Sequence, residues 1–184
     1  MPKIEKGNIL ISEPYITDDN FFRSVILIAD YDEETGAVGF MLNQATDTTL
    51  YDIMEEEGFP TIPLFEGGPV QMDSLFFIHS SPILDQDSLE ITDKLFWGGN
   101  FEDIAPLLKN GSIKEEEIKF FIGYSGWAPG QLEEELQMGS WFISDINYKN
   151  ILEESGEDLW KYSVGNLKSN DKIWANAPLN PLLN

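Results

Sequence analysis

Two apolar runs constrain this chain most. Residues 24–30 (SVILIAD) and 37–42 (AVGFML) flank the polar stretch Tyr31-Asp32-Glu33-Glu34-Thr35-Gly36. A polar loop with glycine near its end, set between two strand-like runs, is a hairpin signal. Neither arm alternates apolar with polar residues. A strand that faces water on one side alternates, whereas a strand covered on both sides does not. The hairpin is therefore expected inside the molecule, with other elements packed on both of its faces.

The rest of the chain reads as short strands mixed with short helices. Strands are expected at 8–12, 64–66, 74–79, 118–123 and 141–143, with a weaker one at 89–92. Thr48 or Thr49 can cap a helix over 50–57. Asn100 begins a helix that Gly111 closes. Pro129 suits the first residue of another, reaching about 137. Two further helical patterns fall near 147–154 and 157–164, and the tail 175–184 reads as a strap over the body. No regular βαβ rhythm or internal repeat appears. The expectation is one domain over residues 1–184 of the α+β class, built on a mixed, largely antiparallel sheet or a barrel-like core flanked by short helices.

Charge excludes more than it suggests. Asp and Glu total 33 against 11 Lys and Arg, a formal net charge of −22. Arg23 is the sole arginine and His79 the sole histidine. Nucleic-acid binding draws on clustered cations that neutralise phosphates, and the lysines here are scattered. Direct nucleic-acid binding and attachment to anionic membranes are both disfavoured. Such acidity keeps a surface solvated, or presents an acidic patch to a basic partner protein. No secretory leader and no membrane-spanning run is evident, so the cytoplasm is the expected compartment. The absence of cysteine removes disulfides, thiolate metal sites and cysteine nucleophiles. No metal and no cofactor is expected.

Each familiar chemical pattern fails at a named residue. Gly123-Tyr124-Ser125-Gly126-Trp127 lies between a strand and a helix, as a nucleophile elbow does, but Trp127 stands where G-x-S-x-G needs glycine. As an anion cradle the segment lacks lysine, and Glu133, Glu134 and Glu135 follow it. Those carboxylates themselves suit the positive end of a helix. The acidic loop from Asp30 has Thr35 and Met41 where a calcium loop needs Gly and Glu. His79, with no second histidine, reads as a hydrogen-bonded structural residue, although it is the side chain that titrates nearest neutral pH. Arg23, alone among 33 acids, is expected to pair with a carboxylate of the chain. The alternative keeps it for the carboxylate of a ligand.

Several segments together are far more specific. Gly7-Asn8-Ile9-Leu10-Ile11-Ser12-Glu13-Pro14 precedes Asp19-Asn20-Phe21-Phe22-Arg23-Ser24-Val25-Ile26. Gly36-Ala37-Val38-Gly39-Phe40-Met41-Leu42-Asn43 and Gly67-Gly68-Pro69-Val70 follow, the latter ahead of Phe76-Phe77-Ile78-His79. The last block is Gly123-Tyr124-Ser125-Gly126-Trp127-Ala128-Pro129-Gly130-Gln131-Leu132-Glu133-Glu134-Glu135-Leu136. In this order, from about residue 7 to 165, the chain closely resembles the AlgH/YqgE family of small bacterial proteins. The resemblance implies a compact α+β fold with a sheet core flanked by helices. It brings a transcriptional-regulator label and no catalytic residue. The chain departs from the family at Ser12-Glu13-Pro14, at Asp30-Tyr31 in the hairpin, where an acid–histidine pair is more usual, and in the tail Asn180-Pro181-Leu182-Leu183-Asn184.

The family segments supply a candidate binding surface: Arg23, Asn43, Gly67, Gly68 and His79 from the first half, and Tyr124, Ser125, Trp127, Gln131 and Glu134 from the second. Trp and Tyr beside small residues can form a shallow contact surface. The expected function is a cytoplasmic, non-enzymatic module that binds a protein partner, a basic one given the charge, or a small ligand, with an indirect regulatory role. Two alternatives remain. One is an enzyme with a site around Arg23, His79, Ser125 and Glu134. The other is a direct transcriptional regulator, which the net charge opposes.

Overall fold

A computed structural model describes residues 3–84, 88–144, 151–152, 156, 158–167 and 170–178. Among them ten strands form a largely antiparallel sheet: β1 (Ile9–Ser12), β2 (Val25–Asp32), β3 (Gly36–Met41), β4 (Ala45–Thr49), β5 (Pro63–Glu66), β6 (Val70–His79), β7 (Leu89–Thr92), β8 (Leu95–Trp97), β9 (Ile118–Trp127) and β10 (Trp141–Ser144). The helices are short: α1 (Leu50–Met54), α2 (Phe101–Lys109), α3 (Gln131–Gln137) and α4 (Asp158–Gly165), with a 3-10 segment over Asn170–Asn176. The order across the sheet is β10-β1-β2-β3-β9-β6-β8-β7, with β4 paired to β5 and β5 running parallel to β9. This is the expected α+β class. The sheet is open, so of the two expected cores the mixed sheet forms and not the barrel-like one.

β9 joins the two halves of the sheet. Along one edge it pairs first with β5, Phe120 to Ile122 against Leu64 to Glu66, and then with β3, Gly39↔Ser125 to Ala37↔Trp127. Along the other edge it pairs with β6, from His79↔Ile118 to Val70↔Tyr124. Successive side chains of a strand point to opposite faces, so β9 also feeds both layers of the core. Phe121 packs with Phe40, Val25, Leu27, Ile9 and Ile11 on the face that Trp160 and Val164 of α4 cover. Phe120 packs on the opposite face with Leu64, Phe77, and Ile104 and Leu108 of α2. Leu10, Ile26, Ile28 and Met41 share a third cluster with Trp127, Trp141 and Leu132 of α3. Val25, Ile26, Leu27 and Ile28 are thus all fully buried although they alternate in direction. Both faces of the β2–β3 hairpin are covered, for the reason its unbroken apolar pattern gave.

Departures from expectation have local causes. β4 (ATDTT) is polar without alternation; it is held at an edge by pairing with β5 and by the Thr46 hydroxyl donating to the Leu64 carbonyl at 3.0 Å. β8 is three residues long and follows a tight reversal in which Lys94 adopts φ +67°. α1 has the expected Thr49 cap, boxed by Asp52, but Glu55 takes φ +51° and stops the helix at Met54, short of 57. β6 begins at Val70 rather than at 74, with an irregular register before Leu75. α3 starts at Gln131 and not at Pro129, because Gly130 at φ +78° occupies the N-cap. The helical pattern near 147–154 falls largely outside the described residues, as do residues 179–184 of the expected strap. No helix of the described residues is long and apolar enough to cross a membrane.

The Phe121 ring, stacked at 4.9 Å on Phe40, touches the core where both halves of the sheet meet. Phe121→Ala is expected to cost about 3–5 kcal/mol, read as a lowered urea midpoint. Met138→Ala, at an exposed position, is expected to stay within about 0.5 kcal/mol of the parent.

Candidate functional site

The Gly67-Gly68 turn lies directly on β9. The Gly67 N–H donates to the Ile122 carbonyl at 2.9 Å, and the Gly67 carbonyl accepts from the Met41 N–H and from the Ser125 hydroxyl, both at 3.0 Å. A Cβ on Gly67 would stand 2.3 Å from the Gly123 carbonyl oxygen, and one on Gly68 would stand 2.4 Å from the Ser125 nitrogen. Backbone passes against backbone here, and no side chain fits between. Ser125 is fully buried inside β9, not on a turn between strand and helix. The segment that shares an elbow's place between strand and helix is therefore itself strand, and β9 runs to Trp127 rather than ending at 123. Tyr124, half-buried, sets its ring edge against Phe76 at 5.5 Å.

His79 lies elsewhere. It pairs with Ile118, seven residues down β9 from Ser125, a separation of roughly 23 Å along an extended strand. The ring is fully buried and stacks on Phe96 at 5.6 Å. Its Nε2 sits 2.7 Å from the Ser88 hydroxyl. That hydroxyl has the carbonyls of Leu84 and Gly98 within reach at 2.7 and 3.1 Å. A hydroxyl has one proton, so with the proton given to a carbonyl, Nε2–H is the donor toward Ser88. His79 and Ser125 do not belong to one constellation. Glu134 is exposed on α3.

Arg23 departs from expectation too. Among the described residues no carboxylate pairs with it. Its Nη2 donates to the carbonyls of Ala177 and Pro178 at 2.6 and 3.1 Å, and its guanidinium lies 4.7 Å from the Trp160 ring centre. A planar, weakly hydrated cation suits an aromatic face and a pair of carbonyls. Trp160 is in turn fixed by its indole N–H donating to the Ser12 carbonyl at 2.9 Å. Arg23 adopts φ +49°, a conformation costly for a side-chain-bearing residue. Asn43 holds it there: its Oδ1 accepts from the Val25 N–H and its Nδ2 donates to the Arg23 carbonyl, both at 2.9 Å.

A residue outside the expected set organises the last block. Glu135 Oε2 accepts from the indole N–H of Trp127 at 2.9 Å and of Trp141 at 2.7 Å, while Oε1 accepts from Gln131 Nε2 at 2.8 Å. Gln131 also takes the Ala128 N–H at 3.0 Å. Phe21 stacks on Trp127 and meets Trp141 edge-on. The neighbouring Glu133 accepts from the Tyr31 hydroxyl, which pushes the phenol up to about 12 through that hydrogen bond first, then through desolvation and the nearby negative charges. The i,i+4 spacing of Gln131 and Glu135 was visible in the sequence; their convergence on two tryptophans from β9 and β10 was not.

Glu135→Ala leaves two indole N–H groups without an acceptor. It is expected to cost about 2–3 kcal/mol and to shift tryptophan emission, whereas Glu134→Ala is expected to do neither. The Tyr31–Glu133 contact has its own signature. A raised folded pKa means stability that is complete below the ordinary tyrosine value of about 10 and lost as pH rises toward about 12. Across that window the denaturation midpoint of the parent is expected to fall more steeply than that of Tyr31→Phe.

Similar proteins place this architecture. The AlgH-like family matches residues 9–171. A protein from Cytophaga hutchinsonii is 41% identical over 182 residues, spanning 98% of this chain and 100% of its own length, and one from Parabacteroides distasonis is 42% identical over 181 residues, spanning 97% and 91%. Both carry only the name UPF0301 protein. The solution structure of the AlgH protein from Pseudomonas aeruginosa superposes with a TM-score of 0.74 at 25% identity, covering 97% of this chain and 98% of that one. A crystal structure of a protein from Corynebacterium diphtheriae, at 23% identity and a TM-score of 0.76 over 95% and 93% of the two chains, shares the fold. With the family match over residues 9–171 and relatives above 40% identity along nearly the whole chain, the chain belongs to the AlgH-like family.

Proposed function

We propose that this protein is a cytoplasmic, non-catalytic interaction module that binds a basic protein partner and exerts any regulatory effect through that partner. The observation that carries this reading is the set of exposed apolar side chains on its C-terminal unit. α4 packs against the 3-10 segment 170–176, and together they expose Tyr162 (58%), Ile173 (70%) and Trp174. Aromatic and large aliphatic side chains exposed together on one unit favour protein contact. The unit is firmly mounted: Arg23 grips the carbonyls just beyond the segment, and Trp174 meets Tyr15 edge-on at 6.4 Å. An acidic chain of net charge −22 attracts a basic partner to the molecule as a whole and repels nucleic acid.

A photo-crosslinking residue placed at Ile173 in cells tests this. The expected result is a discrete adduct with one protein, absent when the crosslinker is at the equally exposed Met138, weakened by salt and competed by the parent chain but not by Tyr162→Ser/Trp174→Ser. Equal adducts from both positions, or none, would exclude the C-terminal face as the contact.

A further inference from the structure

A cavity of about 140 Å3 opens between the end of β6, the turn over residues 82–84 and the start of α2, with Phe77, Leu84, Ile104 and Leu107 forming its apolar floor. It lies in the other half of the sheet from the Arg23 unit and is independent of the interaction face. We propose that this cavity binds a single-ring aromatic molecule without negative charge that carries a hydrogen-bond donor, of the phenol class.

Size sets the first limit. A volume of about 150 Å3 takes one benzene-sized ring; this cavity, open on one side and lined by Asn100 and Asp103 as well as by apolar residues, is close to that in size. Shape and lining agree. Phe77 already contacts Phe120 and the His79 ring at about 6 Å, so a ring entering the cavity extends an aromatic cluster through an edge or offset contact. Ile83 stands at the rim with 55% of its surface exposed. A bound ring would cover that apolar surface, which water now meets at a cost. The lining includes two glycines in the left-handed region, Gly98 at φ +81° and Gly99 at φ +109°. A Cβ on Gly99 would stand 3.2 Å from the Ser88 hydroxyl and 3.5 Å from the Phe77 ring, so this wall is narrow because residue 99 has no side chain.

Charge selects among single rings. Asp103 lines the mouth, in a chain of net charge −22, which disfavours a carboxylate such as benzoate. A ring without negative charge avoids that penalty, and Asp103 can accept its one donor hydrogen.

The test is an amide NMR titration of the full chain with phenol, benzoate and benzylamine. Phenol and benzylamine are expected to give saturable shifts at Phe77, Gly98, Gly99 and Ile104, with benzoate about tenfold weaker because its carboxylate must shed water beside Asp103. Leu107→Trp, at a half-buried position, is expected to fill the cavity and abolish the shifts with the melting temperature kept. Ile83→Ala, exposed and tolerant, is expected to weaken phenol several-fold. Shifts that do not saturate, that spread over the surface, or that survive both variants unchanged would overturn the site. Benzoate binding as tightly as phenol would overturn the choice of a ligand without negative charge.

Discussion

The ladder that β9 makes on both of its edges is the interaction on which the molecule depends. Its ten residues accept β5 and then β3 on one side and β6 on the other. Its two central phenylalanines point into opposite cores. Handing one edge from β5 to β3 requires the chain between β5 and β6 to cross tightly over β9, and this is where Gly67 and Gly68 lie within van der Waals limits of Gly123 and Ser125. Two of the most distinctive sequence blocks of the family therefore meet in space as a backbone crossing. Gly68 makes room, and Ser125 closes the crossing by giving its hydroxyl hydrogen to Gly67.

The third distinctive feature, the tryptophan and the glutamates after that serine, performs a different task. A carboxylate with two oxygens can accept several donors at once, and Glu135 uses this to tie the indoles of β9 and β10 to α3. β10 is the outer strand of its half of the sheet, bonded on one side to β1, so the charge-assisted tie from Trp141 supplements a ladder that is only one-sided. Such bonds are among the stronger ones in proteins. A block that reads as chemistry in the sequence thus serves to fasten a helix and an edge strand.

Arg23 shows how composition misleads about a single side chain. Thirty-three acids made a carboxylate partner the natural expectation. Surface ion pairs, however, contribute little, while the space beside Trp160 offers an aromatic face and two outward carbonyls at a fixed distance. The planar cation suits that geometry. The unfavourable φ of Arg23 is compensated by Asn43, a residue twenty positions away.

The sequence by itself determined the α+β class, the doubly covered hairpin, most strands and helix caps, and the family. These rest on patterns within a few residues, where periodicity, turn chemistry and the match of residue order suffice. It missed β4, which is mostly polar, and β8, which is three residues long and too short to show a period; both are held by their neighbours. Tertiary structure alone decided which candidates meet. It put Gly67, Gly68 and Ser125 together because β5 and β9 run parallel, and it put His79 at the far end of β6 because that strand runs antiparallel to β9. It also made Glu135 rather than Glu134 the inward carboxylate, since α3 turns its face toward Trp127 and Trp141. Contacts between distant segments follow from strand direction and packing, and no local pattern in a single sequence encodes either.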